Sequence, residues 1–244
     1  NSFKLFPNSL INGCYKLHGT SAIFGNILHE RTITPKWYQK LFGHKTRVET
    51  YYDYIASSRK VIKRSEVKDT GFYKEDIWNT VLQEIKHTIP KGFIVYGEIV
   101  GQMPSGQHIQ KDYDYGCENG QHAFMPYRIK MINQDGIEIE LSPEQINEYS
   151  RKNGLLEMPL FYTGSVLNHY KELMVHSLVP DDKYLDFMNT YSNILEQPYN
   201  IPEEVLQEFQ TNYIEMLELV YNEKDCYMCK NKVPEEGIII RFTK

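Results

Sequence analysis

Lys16-Leu17-His18-Gly19-Thr20-Ser21 lies inside a segment, Asn12 to Phe24, that reads as a strand, a tight turn at Gly19 and a strand leading out. A lysine at a strand end just before such a turn can be held facing a cleft. The glycine lets backbone approach a ligand closely, and Thr20 and Ser21 add short hydroxyl donors. A lysine attacks an electrophile only when deprotonated, so a nucleophilic Lys16 needs a nearby metal or cationic group to release its proton. Taken alone, the hexapeptide also fits a solvated surface lysine.

Two further segments share one design. Tyr96-Gly97-Glu98-Ile99-Val100-Gly101 sets a carboxylate inside an apolar strand, where burial is costly without a partner, a metal or a hydroxyl. Glu236-Gly237-Ile238-Ile239-Ile240-Arg241 opens another apolar run with a carboxylate. Either glutamate by itself fits a strand-end residue in solvent.

The rest of the chain frames these segments. Tyr51 to Lys63 reads as a polar turn at Ser57-Ser58 followed by a strand from Lys60 to Lys63. Ile77, Val81, Leu82 and Ile85 recur at helical spacing within Glu75 to His87, and Pro90-Lys91-Gly92 stops that helix before a strand from Phe93 to Val100. Residues 102–122, rich in Gly, Gln and Tyr, read as a mobile loop. Ala123 to Ile132 and the alternating Ile137, Ile139 and Leu141 form a hairpin across Asp135-Gly136. Residues 142–223 read as mainly helical, opened by Ser142 as N-cap with Pro143 behind it and closed by a long helix from Pro202 to Tyr221. Gly237 to Phe242 is a β-branched run that reads as a buried strand. Strands and helices mix without strict alternation, which gives an α+β class with antiparallel sheets flanked by helices.

Composition bounds the function. The 244 residues carry a formal net charge of −5, which argues against a polyanion binder acting by global charge but leaves room for a local basic face. Lys36, Lys40, His44, Lys45 and Arg47 cluster in one stretch, and Arg59, Lys60, Lys63 and Arg64 in another, while acidic residues gather in the second half. Nineteen tyrosines serve either core-edge packing or stacking on bases. No apolar run reaches 18 residues, so no transmembrane helix is expected. Four cysteines are too few for a disulfide scaffold and imply a reduced, intracellular setting. Cys226-x-x-Cys229 is half of a zinc pattern, with no second pair to complete it.

The three segments, in this order, resemble the covalent nucleotidyltransferase superfamily of polynucleotide ligases and mRNA capping enzymes. That family has a Lys-x-Asp/His-Gly-Ser/Thr motif, a Gly-Glu strand, an aromatic strand motif and Glu-Gly followed by apolar residues. Here these look like Lys16 to Thr20, Tyr96 to Gly101, Pro126-Tyr127-Arg128-Ile129 and Glu236 to Arg241. The histidine form of the first motif looks most like ATP-dependent RNA ligases. The resemblance spans essentially the whole chain, 1–244, as one nucleotidyltransferase (ATP-grasp-like ligase adenylation) domain. It implies that Lys16 takes AMP from ATP, with His18, Gly19, Arg59, Glu98, Tyr127 and Glu236 binding the nucleotide and Glu98 and Glu236 binding Mg2+ or Mn2+. Arg64 is the rival of Arg59 for the ribose or phosphate contact, and Phe124 the rival of Tyr127 for stacking on adenine. It further implies transfer of AMP to an RNA 5′-phosphate and joining to a 3′-hydroxyl, with an accessory domain outside this chain. The family's final Lys-x-Lys pair is expected beyond Lys244. A DNA ligase, a GTP-using capping nucleotidyltransferase and a noncatalytic RNA-binding module on a ligase fold are the alternatives.

Overall fold

The computed structural model describes residues 5–58, 62–63, 76–176, 182–197, 200–221 and 224–243. The chain divides into two compact units, His18–Met158 and a second made of Asn1–Leu17 with Pro159–Lys244. Both mix helix with antiparallel sheet, so the α+β expectation holds.

The unit His18–Met158 is built on a six-stranded antiparallel sheet. Its strands are β2 (Thr20–Ile33), β3 (Arg47–Ser58), β4 (Ile62–Lys63), β5 (Phe93–Gly101), β6 (His122–Ile132) and β7 (Glu138–Glu140), in the order β4-β3-β2-β5-β6-β7. Helix α1 (Trp37–Leu41) connects β2 to β3. Helix α2 (Ile77–Ile85) runs in the register that its apolar spacing demands, with Ile77, Trp78, Val81, Leu82 and Ile85 buried. Asp76 caps it by accepting from the Asn79 amide at 3.2 Å. The Trp78 indole N–H donates to the Ser21 carbonyl at 3.0 Å, tying this helix to the first strand of the sheet. Ala22, Phe24, Val95, Ile99, Phe124 and Ile129 supply buried side chains from the sheet. Each large aliphatic side chain withdrawn from water here stabilises by about 2 kcal/mol. Helix α3 (Pro143–Lys152) begins where Ser142-Pro143 demands. Ser142 Oγ accepts from the Gln145 amide, and Gln145 Oε1 accepts from the Ser142 amide.

The second unit sets three strands, β1 (Leu10–Tyr15), β8 (Leu160–Ser165) and β9 (Ile238–Phe242), in the order β8-β1-β9. Helices α4 (Val166–His176), α5 (Asp182–Leu195) and α6 (Glu203–Tyr221) supply its core through Tyr170, Phe187, Leu195, Phe209 and Tyr213. Many of the tyrosines are therefore packing residues.

Four details depart from the sequence reading. Ser57 and Ser58 belong to β3 rather than to a turn, and the connection at 59–61 lies outside the described residues. The expected strand from Lys60 is described only at Ile62–Lys63. Of Gly237 to Phe242, Ile238–Phe242 forms strand β9, which is half-buried along its length rather than buried and stands at the edge of its sheet among the described residues. Residues 102–121 lack regular strands yet are anchored, with Met103, Ile109, Tyr115 and Cys117 buried and short bridges at Gln102–His108 and Gln110–Tyr113.

The core of the second unit holds a buried histidine. His169, 2% exposed, shares a 2.7 Å hydrogen bond with the Tyr213 hydroxyl and stacks on Tyr162 at 4.1 Å between centroids. Burial lowers its pKa from 6.5 to about 4. The unfolded imidazole takes its proton near pH 6.5 and the folded one only near 4. The unfolded chain therefore binds more protons across that window, and stability falls as pH falls through it. The contribution is intact above pH 6.5, and up to about 3 kcal/mol of it is lost by pH 4. Thermal melts from pH 7 to pH 4 should show this slope, and His169→Gln should flatten it. A wild-type slope that survives in the variant would assign the acid sensitivity to other groups.

Candidate active site

Strand register brings Lys16 to Glu236. In the second unit β1 runs antiparallel to β9, with Cys14 opposite Ile239 and Tyr15 opposite Ile238. One step further, the Lys16 amide donates to the Gly237 carbonyl at 2.9 Å. Lys16 Nζ then donates to Glu236 Oε1, closing an ion pair between residues 220 apart in sequence. The lysine side chain is half exposed and the glutamate side chain less so, which leaves the amine open to a ligand from the solvent side.

Glu236 is braced by a short loop. The Cys226 amide donates to the Val233 carbonyl at 2.7 Å, and the Glu235 amide to the Lys224 carbonyl at 2.7 Å. Tyr227 of this loop lies edge-on to Tyr15 at 5.4 Å, and Phe161 packs against the same ring at 5.1 Å. Burial pushes the Glu235 carboxyl above its usual range and the Cys226 thiol up to about 12. Among the described residues no cluster of three or more His, Cys, Asp or Glu side chains is arranged to hold a metal.

The other motif residues lie in the unit His18–Met158. Gly19 precedes β2 and is held tightly. A Cβ there would stand 2.5 Å from the Ile99 carbonyl oxygen, closer than atoms approach, so only glycine fits. The Gly19 carbonyl accepts from Gln110 Nε2 at 2.9 Å, and the His18 amide donates to the Tyr115 hydroxyl at 2.6 Å. Tyr115 itself has φ 46°, an uncommon conformation for a tyrosine. The His18 ring meets Tyr113 edge-on at 4.8 Å, and Tyr113 stacks with Tyr115. Gln110, Tyr113 and Tyr115 all come from the 102–121 loop. Sequence reasoning missed them, and the loop's Gly, Gln and Tyr content was the only signal it carried.

Glu98 lies on β5, opposite Ser21 of β2 and Met125 of β6, and is half-buried. A bulge then shifts the β5–β6 register, because Gly97 faces Pro126 while Tyr96 faces Arg128. Tyr127 is the extra residue. Met125 and Arg128 pair with Glu98 and Tyr96, which share one face of β5, and Tyr127 between them is half-buried. Arg128 lies over the Tyr96 ring at 5.7 Å and pairs with Glu140 at 2.7 Å. The rival stacker Phe124 takes the opposite face. It is buried, edge-on to Phe24 at 4.9 Å, with Gly97 leaving room for its ring. Arg59 and its rival Arg64 lie outside the described residues.

The structure thus joins Lys16 to Glu236 in one unit and sets His18, Gly19, Glu98 and Tyr127 in the other. Among the described residues no helix is long and apolar enough to cross a membrane. Comparison with curated proteins gave no match. The family model described as RNA ligase matches residues 14–244, a span that begins two residues before Lys16 and includes every motif quoted above, and the chain belongs to the RNA ligase family.

Proposed function

We propose that the chain is an ATP-dependent RNA ligase that works through a covalent lysine–AMP intermediate on a nucleotidyltransferase fold. The observation that carries this reading is the meeting of Lys16 with Glu236, enforced by strand register, inside a chain of the RNA ligase family. In the first step Lys16 Nζ attacks the α-phosphorus of ATP, a nitrogen–phosphorus bond forms and pyrophosphate leaves. Glu236, hydrogen-bonded to Nζ, orients the amine and would hold the hydrated divalent ion whose charge favours loss of the amine's proton. AMP then passes to the 5′-phosphate of an RNA, and a 3′-hydroxyl attacks that phosphate and releases AMP. Little covalent work falls to the protein beyond the lysine, since such transfers depend mainly on positioning and charge neutralisation.

The remaining motif residues have roles to match. The Gly19 backbone and the His18 segment border the nucleotide, Glu98 takes the ribose hydroxyls, Tyr127 stacks on adenine, and Arg59 contacts ribose or phosphate. Carboxylates such as Glu98 and Glu236 suit a hard divalent ion, which keeps most of its waters and needs only one or two of them. Magnesium or manganese, when bound, neutralises phosphate charge. Four cysteines in 244 residues are too few for a disulfide scaffold, which supports an intracellular setting. An accessory domain outside this chain would contribute to engaging RNA ends.

The direct test is incubation with α-labelled ATP and a divalent ion, followed by peptide mapping. Label on the peptide containing Lys16, released by pyrophosphate, is the expected result. Labelling from GTP in preference to ATP would point to capping chemistry instead. Sealing of nicked DNA but not of RNA ends would point to a DNA ligase. RNA binding with no label from either nucleotide would leave only a noncatalytic module.

A further inference from the structure

The hairpin of β2 and β3 runs far beyond the sheet that roots it. Strand β5 pairs with β2 only from Thr20 to Gly25, and the described part of β4 pairs with β3 only at Ala56 and Ser57. From Ile27–Asp53 to Ile33–Arg47 the ladder has two strands and no third among the described residues. Seven residue pairs at strand rise make an arm about 20 Å long. A two-stranded ribbon exposed on both faces is marginally stable in water, so a surface of this kind is suited to being covered.

The arm is cationic on an acidic chain. Between Ile27 and Asp53 lie Arg31, Lys36, Lys40, Lys45 and Arg47 against Glu30, Glu49 and Asp53, a surplus of two positive charges where the whole chain carries −5. Lys36, Lys40, His44 and Lys45 are all exposed. Large apolar rings stand among them. Trp37 is 76% and Phe42 82% exposed, with Leu41 and Tyr38 also open. Lower down, Tyr51 stacks with His29 at 5.7 Å and lies under the Arg31 guanidinium at 5.5 Å. Cations interleaved with exposed rings match the chemistry of a single-stranded nucleic acid, whose phosphates seek the charges and whose bases seek the rings.

We propose that this arm and its tip, residues 36–47, bind a single-stranded stretch of the RNA substrate. Lys36, Lys40 and Lys45 contact phosphates, and Trp37 and Phe42 stack on bases. The inference rests on the reading of the chain as a ligase acting on RNA, and it adds to that reading a binding surface outside the nucleotide site.

The test is fluorescence anisotropy of a 5′-phosphorylated, unstructured RNA 20-mer (about 20 nucleotides, enough to span one or more single-strand sites), titrated with the full chain over a range of salt. Lys36→Gln/Lys40→Gln/Lys45→Gln should weaken binding about tenfold or more at low salt. It should also make the log-affinity against log-salt slope shallower by about two, since each single-strand phosphate contact contributes about 0.7. Trp37→Ala/Phe42→Ala should weaken binding about tenfold and leave the slope in place, because stacking releases no counterions. All five positions are exposed, so melting temperatures should stay near wild type. Wild-type affinity in both variants would overturn the proposal, as would a wild-type chain that fails to bind the RNA. If the tip variant instead abolishes self-association in sedimentation and RNA affinity is unchanged, the tip belongs to a second copy of the chain and the proposal is likewise overturned. The ligase reading is decided separately by ATP labelling of the wild type. A labelled wild type with indifferent arm variants loses only the arm. An unlabelled wild type whose arm variants lose RNA loses only the chemistry.

Discussion

Lys16→Ala should take no label from ATP, a loss of at least about a thousandfold, because it removes the amine that strand register holds beside Glu236. Lys16→Arg is the more informative partner. It keeps the cation and an ion pair with Glu236 but offers a guanidinium that does not lose its proton near neutral pH. If Lys16 acts as nucleophile, both variants are silent in labelling. If Lys16 only balances charge, Lys16→Arg retains most of the label, and that outcome would remove Lys16 from the chemistry. A melt of each variant separates loss of function from loss of fold. The ion pair is partly exposed, so its removal should cost stability little.

Gly19→Ala should destabilise the protein by about 3 kcal/mol and lower its melting temperature by about ten degrees. The added methyl would meet the Ile99 carbonyl oxygen at 2.5 Å and Val100 Cγ1 at 2.9 Å. The first obstacle is backbone in the neighbouring strand, paired through Thr20 and Ile99, and it cannot swing aside as a flexible side chain would. The segment would have to lift away, straining the Gln110 bond to the Gly19 carbonyl and the Tyr115 bond to the His18 amide. Gly43→Ala is the control. Gly43 has φ 79° but open space around it, so its cost is limited to backbone strain of about 1 kcal/mol. A Gly19→Ala melt no lower than that of Gly43→Ala would mean that the close approach is not what requires glycine.

The parts of the fold legible in the sequence are those where local chemistry and burial agree. Ser142-Pro143 marks a helix start, and the apolar spacing from Ile77 to Ile85 marks a buried helix face, because each signal is complete within a dozen residues. The arm is the opposite case. Both of its faces meet water, so no alternation of apolar and polar residues marks it, and only its root could be read. Strand β8 was hidden inside a region that reads as helical. It is six residues long, and its bulge, which sets Gly13 against Tyr162 but Cys14 against Leu160, breaks the period. The site divides in the same way. Lys16 and Glu236 stand out because strand-end motifs fix their backbone, whereas Tyr115 and Gln110 support the first motif through single contacts from a loop over ninety residues away. No local pattern announces such contacts.

The interleaving of the two units has a consequence for synthesis on the ribosome. Everything needed for His18–Met158 has been translated once Met158 has emerged, and its sheet can close while the chain is still growing. Strand β1, translated before any of it, must wait for β8 on one side and for β9 on the other. The amine made at position 16 thus meets its acid only after Glu236 has been translated, so a nascent chain stalled before that point would carry Lys16 without this ion pair.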